Sequence, residues 1–381
     1  NQIEIKENGE LLDENGILKI KGWSRQPYLK YNPEQLSKFR KSFRLKEWNY
    51  YSIGSNSFYF AVVAIDLGYA CIYQCFFIDF EKDYKNLNEN QPQQPSEPSD
   101  YIMDEIRFAT PFSKGLCLPS DSCEHGCHTK YDSNNFSIEF NSICSEHLNK
   151  DDESSDSNNN NSKIKHHIKF YSKKGQLEGD IVFDLSPTRE SIVLMTPIGK
   201  ENFYYNRKTN LIPVGGSLKV KGVEQLNGDI NSIANDCFGI MDWGRGIWEY
   251  NSFWLWSSAW GKVDGIPVGL NFGSGFGDLS THTENGVNVN GIVHKLGHVD
   301  IEYNESNLME PWKFICKHGR FGEQPLIFTP FKKKYDNNDF TVFISSFHQI
   351  LGTFTGEIIL DDGSRLKINL IGFSEVHKAR W

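Results

Sequence analysis

Between Ser252 and Trp260 the sequence SFWLWSSAW changes face at every residue. Trp254, Trp256, Ser258 and Trp260 fall on one side, and Phe253, Leu255, Ser257 and Ala259 on the other. Period two is the signature of an extended strand, and apolar side chains on both sides predict a strand covered on both faces. Val263-Asp264-Gly265 follows, and Asp-Gly is a strong hairpin signal, so Ile266 to Asn271 is predicted to return as the partner strand. Four of the nine tryptophans lie between Trp248 and Trp260, with Asp242, Arg245, Glu249, Asp278 and Glu284 among or close to them. Large rings beside a few charges are the usual lining of a small-molecule site.

The same grammar runs through the chain. Phe43–Tyr51, Phe58–Ile65, Tyr69–Phe80, Phe136–Ile143, Lys165–Tyr171 and Leu177–Leu185 read as strands between turn signals, and a short helix is predicted over Pro33–Arg40. Phe347–Leu360, a turn at Asp361–Ser364 and Arg365–Val376 predict a long terminal hairpin. About twenty short strands with hardly a helix argue an all-β protein of barrels or sandwiches, and closed barrels hide their edges. Its 381 residues exceed one usual core. The expected architecture is two antiparallel β-barrels or strongly curved sheets packed together, an N-terminal unit over residues 1–228 and a C-terminal unit over residues 229–381. Residues 83–100 and 145–162 are polar, low-complexity insertions that bury too little to offset their ordering entropy.

Aromatics make up 14% of the residues and methionine only 4 positions, which fits a rigid aromatic β interior. Net charge is −9 with no basic stripe to neutralise phosphates, so a nucleic-acid partner is not expected. No apolar run is long enough for a membrane-spanning helix, and NQIEIKENGE at the start shows no signal-peptide core. Eight irregularly spaced cysteines are not a disulfide scaffold, and a cytoplasmic location is expected. Cys123, His125, Cys127 and His128 have ligand chemistry but lack paired metal-site spacing, so neither a metal nor another cofactor is expected.

A set of motifs carries a resemblance: FRLKEWNYY (Phe43–Tyr51), DLGYA (Asp66–Ala70), PFSKG (Pro111–Gly115), DWGRGIWEYNSFWLW (Asp242–Trp256) and GLNFGSGFGD (Gly269–Asp278). TENGV (Thr283–Val287), HKLGHV (His294–Val299), PW (Pro311–Trp312), HQILGTFTG (His348–Gly356) and GFSEVHKARW (Gly372–Trp381) continue it. In this order they resemble the Domain of Unknown Function 2804 family. That family is distantly similar to lipocalin-like two-barrel families that include carotenoid hydratases and tocopherol cyclases. The resemblance implies lipocalin-like barrels and an apolar, isoprenoid-like small molecule as partner.

Candidate residues fall into two sets. For ligand contact they are Arg245, Trp248, Trp254, Trp256, Trp260, Asn271 and Asn285. The tryptophans either line a cavity or fill a core. For acid–base work they are Asp242, Glu284, His348, Glu375 and His377. A carboxyl group walled by aromatic rings has its charged form disfavoured and becomes a proton donor. Arg245 either faces the ligand or pairs with Asp242 or another acid and pins a loop. A two-residue turn at Asp362-Gly363 would set His348 opposite His377 and Ile350 opposite Glu375, gathering His348, Glu375 and His377 on one face. The primary reading is a binder of an apolar, lipid or isoprenoid-like small molecule in an aromatic-lined barrel cavity; the alternatives are a cofactor-independent hydratase, cyclase or isomerase that protonates an alkene with a buried carboxylic acid, and a structural protein with no cavity.

Overall fold

The computed structural model describes residues 2–80, 102–111, 128–144, 164–174, 176–220, 228–230, 236–339 and 344–380, with Leu116 and Leu118. Residues 83–100 and 145–162, and Cys123, His125 and Cys127, lie outside the described residues, as does the side chain of His128.

The chain is all-β, built as two curved antiparallel units packed face to face. In the first unit an eight-stranded sheet lies over a six-stranded one. The eight-stranded sheet runs in the order Gly22–Ser24, Ile192–Ile198, Asn202–Ile212, Phe238–Ile247, Leu45–Gly54, Phe58–Asp66, Ala70–Asp79 and Ile102–Pro111. The core between the two sheets joins Tyr51, Ile53, Phe60 and Met241 of one to Phe140, Ile168, Phe170 and Phe183 of the other. The second unit is one nine-stranded sheet whose centre is formed by Asn251–Val263, Arg365–Arg380 and Ile344–Ile359. It curls until Phe272, near one edge, meets Phe314, near the other, at 5.1 Å between ring centres. Among the described residues no helix is long and apolar enough to cross a membrane.

The outer faces of the two units meet. Tyr59, Ala61, Phe76, Phe238 and Ile240 of the eight-stranded sheet pack against Trp256, Trp260, Leu351, Ile371 and Phe373 of the nine-stranded sheet. This seam explains the double-faced strands. Along Phe58–Asp66, Phe58, Phe60 and Val62 point into the first core while Tyr59 and Ala61 point into the seam. Along Asn251–Val263, Leu255 and Ala259 point into the second core while Trp256 and Trp260 point into the seam. The period-two reading of this strand holds, as does its hairpin, with Asp264 and Gly265 at φ 50° and 80° joining it to Ile266–Ser274. The tryptophan face, however, lies between the units and not inside a barrel.

Three further readings change. The strand Phe238–Ile247 is hydrogen-bonded between Asn202–Ile212 and Leu45–Gly54, so it belongs to the first sheet although it follows the expected boundary at Gly228. In place of a helix over Pro33–Arg40 the chain makes a 3-10 turn at Pro33–Gln35 and a π-helical turn at Arg40–Arg44. The terminal hairpin closes through three residues, with Leu360 bonded to Ser364 and Gly363 at φ 83°. A residue at positive φ after a type I turn is the usual three-residue closure, and one extra loop residue slips the register by one. His348 therefore faces Val376, Gln349 faces Glu375, and Phe347 faces His377.

Candidate functional site

Alternation along two neighbouring strands of the first sheet sends Tyr204, Asn206 and Lys208, with Asp242, to the seam, while Tyr205, Arg207, Trp243 and Arg245 point the other way. From the second unit come Trp254, Trp256, Asn271 and Glu375. A loop of the second unit adds Glu284. The result is a buried polar cluster walled by rings.

Lys208 Nζ stands 2.6 Å from Asp242 Oδ2 and 3.6 Å above the centre of the Trp256 ring. The ammonium is therefore held by a carboxylate and by the π face of an indole. Trp256 Nε1 donates to Asn271 Oδ1 at 2.9 Å, and Asn271 Nδ2 donates to the Glu284 carbonyl at 2.7 Å. Asn206 Nδ2 donates to Glu284 Oε2 at 3.1 Å. Trp254 Nε1 donates to Glu375 Oε1 at 2.9 Å, and His377 Nδ1 lies 3.6 Å from the same oxygen. The His377 ring also lies against Trp254, 4.1 Å between centres.

Glu284 is held from several directions. Asn285 Oδ1 accepts from Gly273 N, and Asn285 Nδ2 donates to the Gly297 carbonyl. Gln2 Oε1 accepts from Thr283 N, and His282 is bonded to Thr196. A β-carbon on Gly273 would sit 1.5 Å from Glu284 Oε1, so only glycine leaves room for this carboxyl.

The carboxyl groups are not equivalent. Burial raises Glu284, and Asp242 nearby adds to that; Lys208 and the Asn206 amide work against it. Burial also raises Asp242, opposed first by Lys208 in contact with it. Among the described residues Glu284 makes no ion pair, and it is 1% exposed. A buried carboxyl with no cation in contact takes up a proton before one that has such a cation. Lys295 is not in ion-pair contact with Glu284, although it too draws Glu284 down and is drawn up by it. Burial pushes its amine well below the usual lysine range, and Nζ is spent on Thr283 Oγ1 and the Asn285 and Leu296 carbonyls.

This ranking has a consequence for stability. The folded state binds the Glu284 proton more tightly than the unfolded chain, so its contribution is largest below the ordinary value of 4.5 and declines as pH rises from there through the raised folded value. Glu284→Gln mimics the neutral form. Urea unfolding across pH is expected to show a decline in the wild type above pH 4.5 that is shallower in the variant. Equal slopes would mean that Glu284 ionises in the fold as it does in the unfolded chain.

Beside the acids stands an aromatic group. Tyr204 lies 4.6 Å from Trp248, 5.5 Å from Trp48 and 5.4 Å from Phe276, and Trp248 lies 5.5 Å from Trp254. Trp248 Nε1 and Asn206 Oδ1 are buried with no hydrogen-bond partner among the described residues. Such unsatisfied polar atoms are uncommon in folded proteins. A cavity of about 10 Å³, lined by Lys208, Asn210, Asn271, Asn288 and Ser191, has room and polar partners for about one water molecule.

The structure thus brings Asp242, Glu284, Glu375, His377, Trp248, Trp254, Trp256 and Asn271 together, with Asn285 as a brace. Three expected members stand elsewhere. Arg245 points into the first unit, where it pairs with Glu47 and bonds Asn49 Oδ1, because it is an odd number of residues from Asp242 along one strand. His348 is on the opposite face from Glu375 and His377, stacked on Tyr335, as the three-residue loop dictates. Trp260 is further along the seam, stacked on Tyr59.

The motif-bearing segments run through both units and this seam, and the whole chain matches one sequence family: the profile described as Domain of unknown function (DUF2804) covers residues 2–381. The chain belongs to that family. No curated protein matches this DUF2804 chain in sequence. Its fold is similar to kievitone hydratase from Nectria haematococca, at 12% identity over 97% of this chain and 96% of that one, with a TM-score of 0.48. It is also similar to CghA, at 8% identity over 88% of each chain, with a TM-score of 0.35. These likenesses are too distant to carry a residue role or an activity across.

Proposed function

We propose that this DUF2804 protein binds an apolar small molecule against the aromatic group at the seam and transfers a proton to it from Glu284. The observation that carries this reading is the environment of Glu284: a fully buried carboxyl, raised by burial and without an ion pair, beside rings that accept a cation. A protein that only holds an apolar molecule gains nothing from burying Asp242 and Glu284 together, since burial disfavours the charged form of both.

The chemistry follows from the parts. Protonating a carbon–carbon double bond needs a neutral acid, and the carbocation formed needs electron-rich faces. Glu284 supplies the first. The Trp256 face already carries the Lys208 ammonium, and the rings of Tyr204, Trp248 and Trp254 offer the same field to a cation. Water capture of the cation, with the water's extra proton returning to the Glu284 carboxylate, gives a hydratase; internal capture followed by proton loss to that carboxylate gives a cyclase, and direct loss of a different proton to it an isomerase. The rings touch one another, so a ligand enters by displacing Trp48 and Trp254, the two that are partly exposed. The unpartnered Trp248 Nε1 and Asn206 Oδ1 offer a donor and an acceptor to one hydroxyl of the ligand.

Native mass spectrometry of protein purified from its own cells, followed by organic extraction, tests the binding step. A retained isoprenoid or fatty molecule is expected. The recovered molecule is then incubated with protein in heavy water. The wild type is expected to place deuterium on carbon, whereas Glu284→Gln still binds but loses incorporation by about 10²–10⁴-fold, the range for removing a general acid. Equal incorporation by the two would remove Glu284 as the donor, and no incorporation above a protein-free control would reduce the protein to a binder. A ligand-free protein that also binds no apolar probe would leave the rings as core.

A further inference from the structure

The segment Lys38-Phe39-Arg40-Lys41-Ser42-Phe43-Arg44 has no role in the chemistry above, yet its surface is unusual. Phe39 is 66% exposed and Phe43 48% exposed, and their rings lie 5.5 Å apart as one apolar knob. Single exposed apolar residues are ordinary, but paired aromatic rings projecting from one turn are not. The π-helical turn Arg40–Arg44 puts them side by side.

The charge around the knob is as one-sided as its shape. From Lys38 to Lys46 the chain carries Lys38, Arg40, Lys41, Arg44 and Lys46 and no acid, in a protein whose net charge is −9. Among the described residues no ion pair engages Lys38, Arg40, Lys41 or Arg44. Arg40 donates to the Gly16 and Glu201 carbonyls and Arg44 to the Trp248 carbonyl, which fixes both guanidinium groups without neutralising them. Lys46 turns inward and bonds the Phe43 and Leu67 carbonyls, anchoring the turn at its base. Exposed rings ringed by bases that no ion pair engages are the chemistry of an anionic lipid surface, where the rings enter the headgroup boundary and the bases meet the phosphates. A purely acidic peptide would explain the bases but not the two exposed rings.

We infer that Lys38–Arg44 is a docking knob for the surface of an anionic lipid bilayer. The knob is tied to the seam, because Arg44 holds the carbonyl of Trp248, one of the rings beside the acids. Docking there brings the partly exposed edge of the aromatic group towards the bilayer, which is where an apolar small molecule resides. The inference stands apart from the proton-transfer reading, since vesicle binding is measured with no ligand in the seam.

The test is flotation of the full chain with vesicles of neutral phosphatidylcholine and with vesicles that also contain phosphatidylserine. The wild type is expected to float with the anionic vesicles and not with the neutral ones. Phe39→Ala/Phe43→Ala and Lys38→Glu/Lys41→Glu are each expected to lower that binding at least about tenfold, given the usual contribution of each basic residue and each inserted ring. Ile266→Ser, at an equally exposed apolar residue elsewhere, is expected to change nothing. All the substituted side chains are exposed, so thermal unfolding is expected at the wild-type temperature. Failure of the wild type to bind overturns the inference. So does a loss confined to the charge variant, which would leave only non-specific attraction to a polyanion.

Discussion

Lys208→Met destabilises the protein by about 3–5 kcal/mol, the usual cost of removing one partner from a buried ion pair. Lys208 and Asp242 have side chains only 6% and 9% exposed, and their contact is 2.6 Å. Removing the ammonium leaves the Asp242 carboxylate in the seam with its nearest opposing charge gone and the carboxyl of Glu284 nearby. The group then takes up a proton at a higher pH than before, which caps the loss. Asp242→Asn is damaging for the converse reason, because Lys208 keeps only the Trp256 face. The double variant Lys208→Met/Asp242→Asn loses less than the sum of the two, by at least about 1 kcal/mol, since the residues share one interaction. Equilibrium unfolding in urea measures all three. A loss below about 1 kcal/mol for Lys208→Met would place this pair in contact with solvent, contrary to the geometry.

Trp260→Ala carries a comparable cost of about 3–5 kcal/mol, from the transfer of a large ring out of a packed interior and the cavity left behind. Trp260 is fully buried between the units, stacked on Tyr59 at 5.4 Å, with Nε1 donating to the Ser55 carbonyl at 3.1 Å. Its ring fits only because residue 54 is glycine: a β-carbon there would lie 2.1 Å from the indole. Gly54→Ala is therefore expected to be destabilising without deleting a single contact. Because Trp260 joins the two units, its loss is expected to separate their unfolding, so that two thermal transitions replace one. A single transition shifted by only a degree or two would mean that the seam contributes little.

Much of this was legible in the residues. Period two with apolar side chains on both faces of Ser252–Trp260 predicts a strand covered on both sides. The cover on one side is the second unit's own core, and on the other it is the first unit. Sequence alone does not distinguish a second unit from a cavity, which is why the rings were expected inside a barrel. Glu284 and Asp242 stand out as acids among rings. Their partners do not, because Asn202–Ile212 reads as a polar stretch: Asn206, Lys208 and Asn210 look like loop chemistry until the strand is seen to lie under the second unit. The signal was present in the alternation of Tyr204, Asn206 and Lys208 against Tyr205 and Arg207. The pairing of Arg245 with an acid other than Asp242 is one of the two readings its sequence allows, and the parity count from Asp242 along one strand is what removes it from the ligand side. His348 was misplaced by a single loop residue, since a three-residue closure at Gly363 inverts every face assignment that a two-residue turn implies.

Proton donation at the seam requires Glu284 to be a neutral acid in the folded protein. Infrared difference spectroscopy of wild type against Glu284→Gln at neutral pH reads this without a substrate. The carbonyl stretch of a protonated carboxylic acid, present in the wild type and absent from the variant, is the predicted result. A difference spectrum containing only carboxylate bands would show Glu284 ionised in the fold, and proton donation from it at the seam would be ruled out.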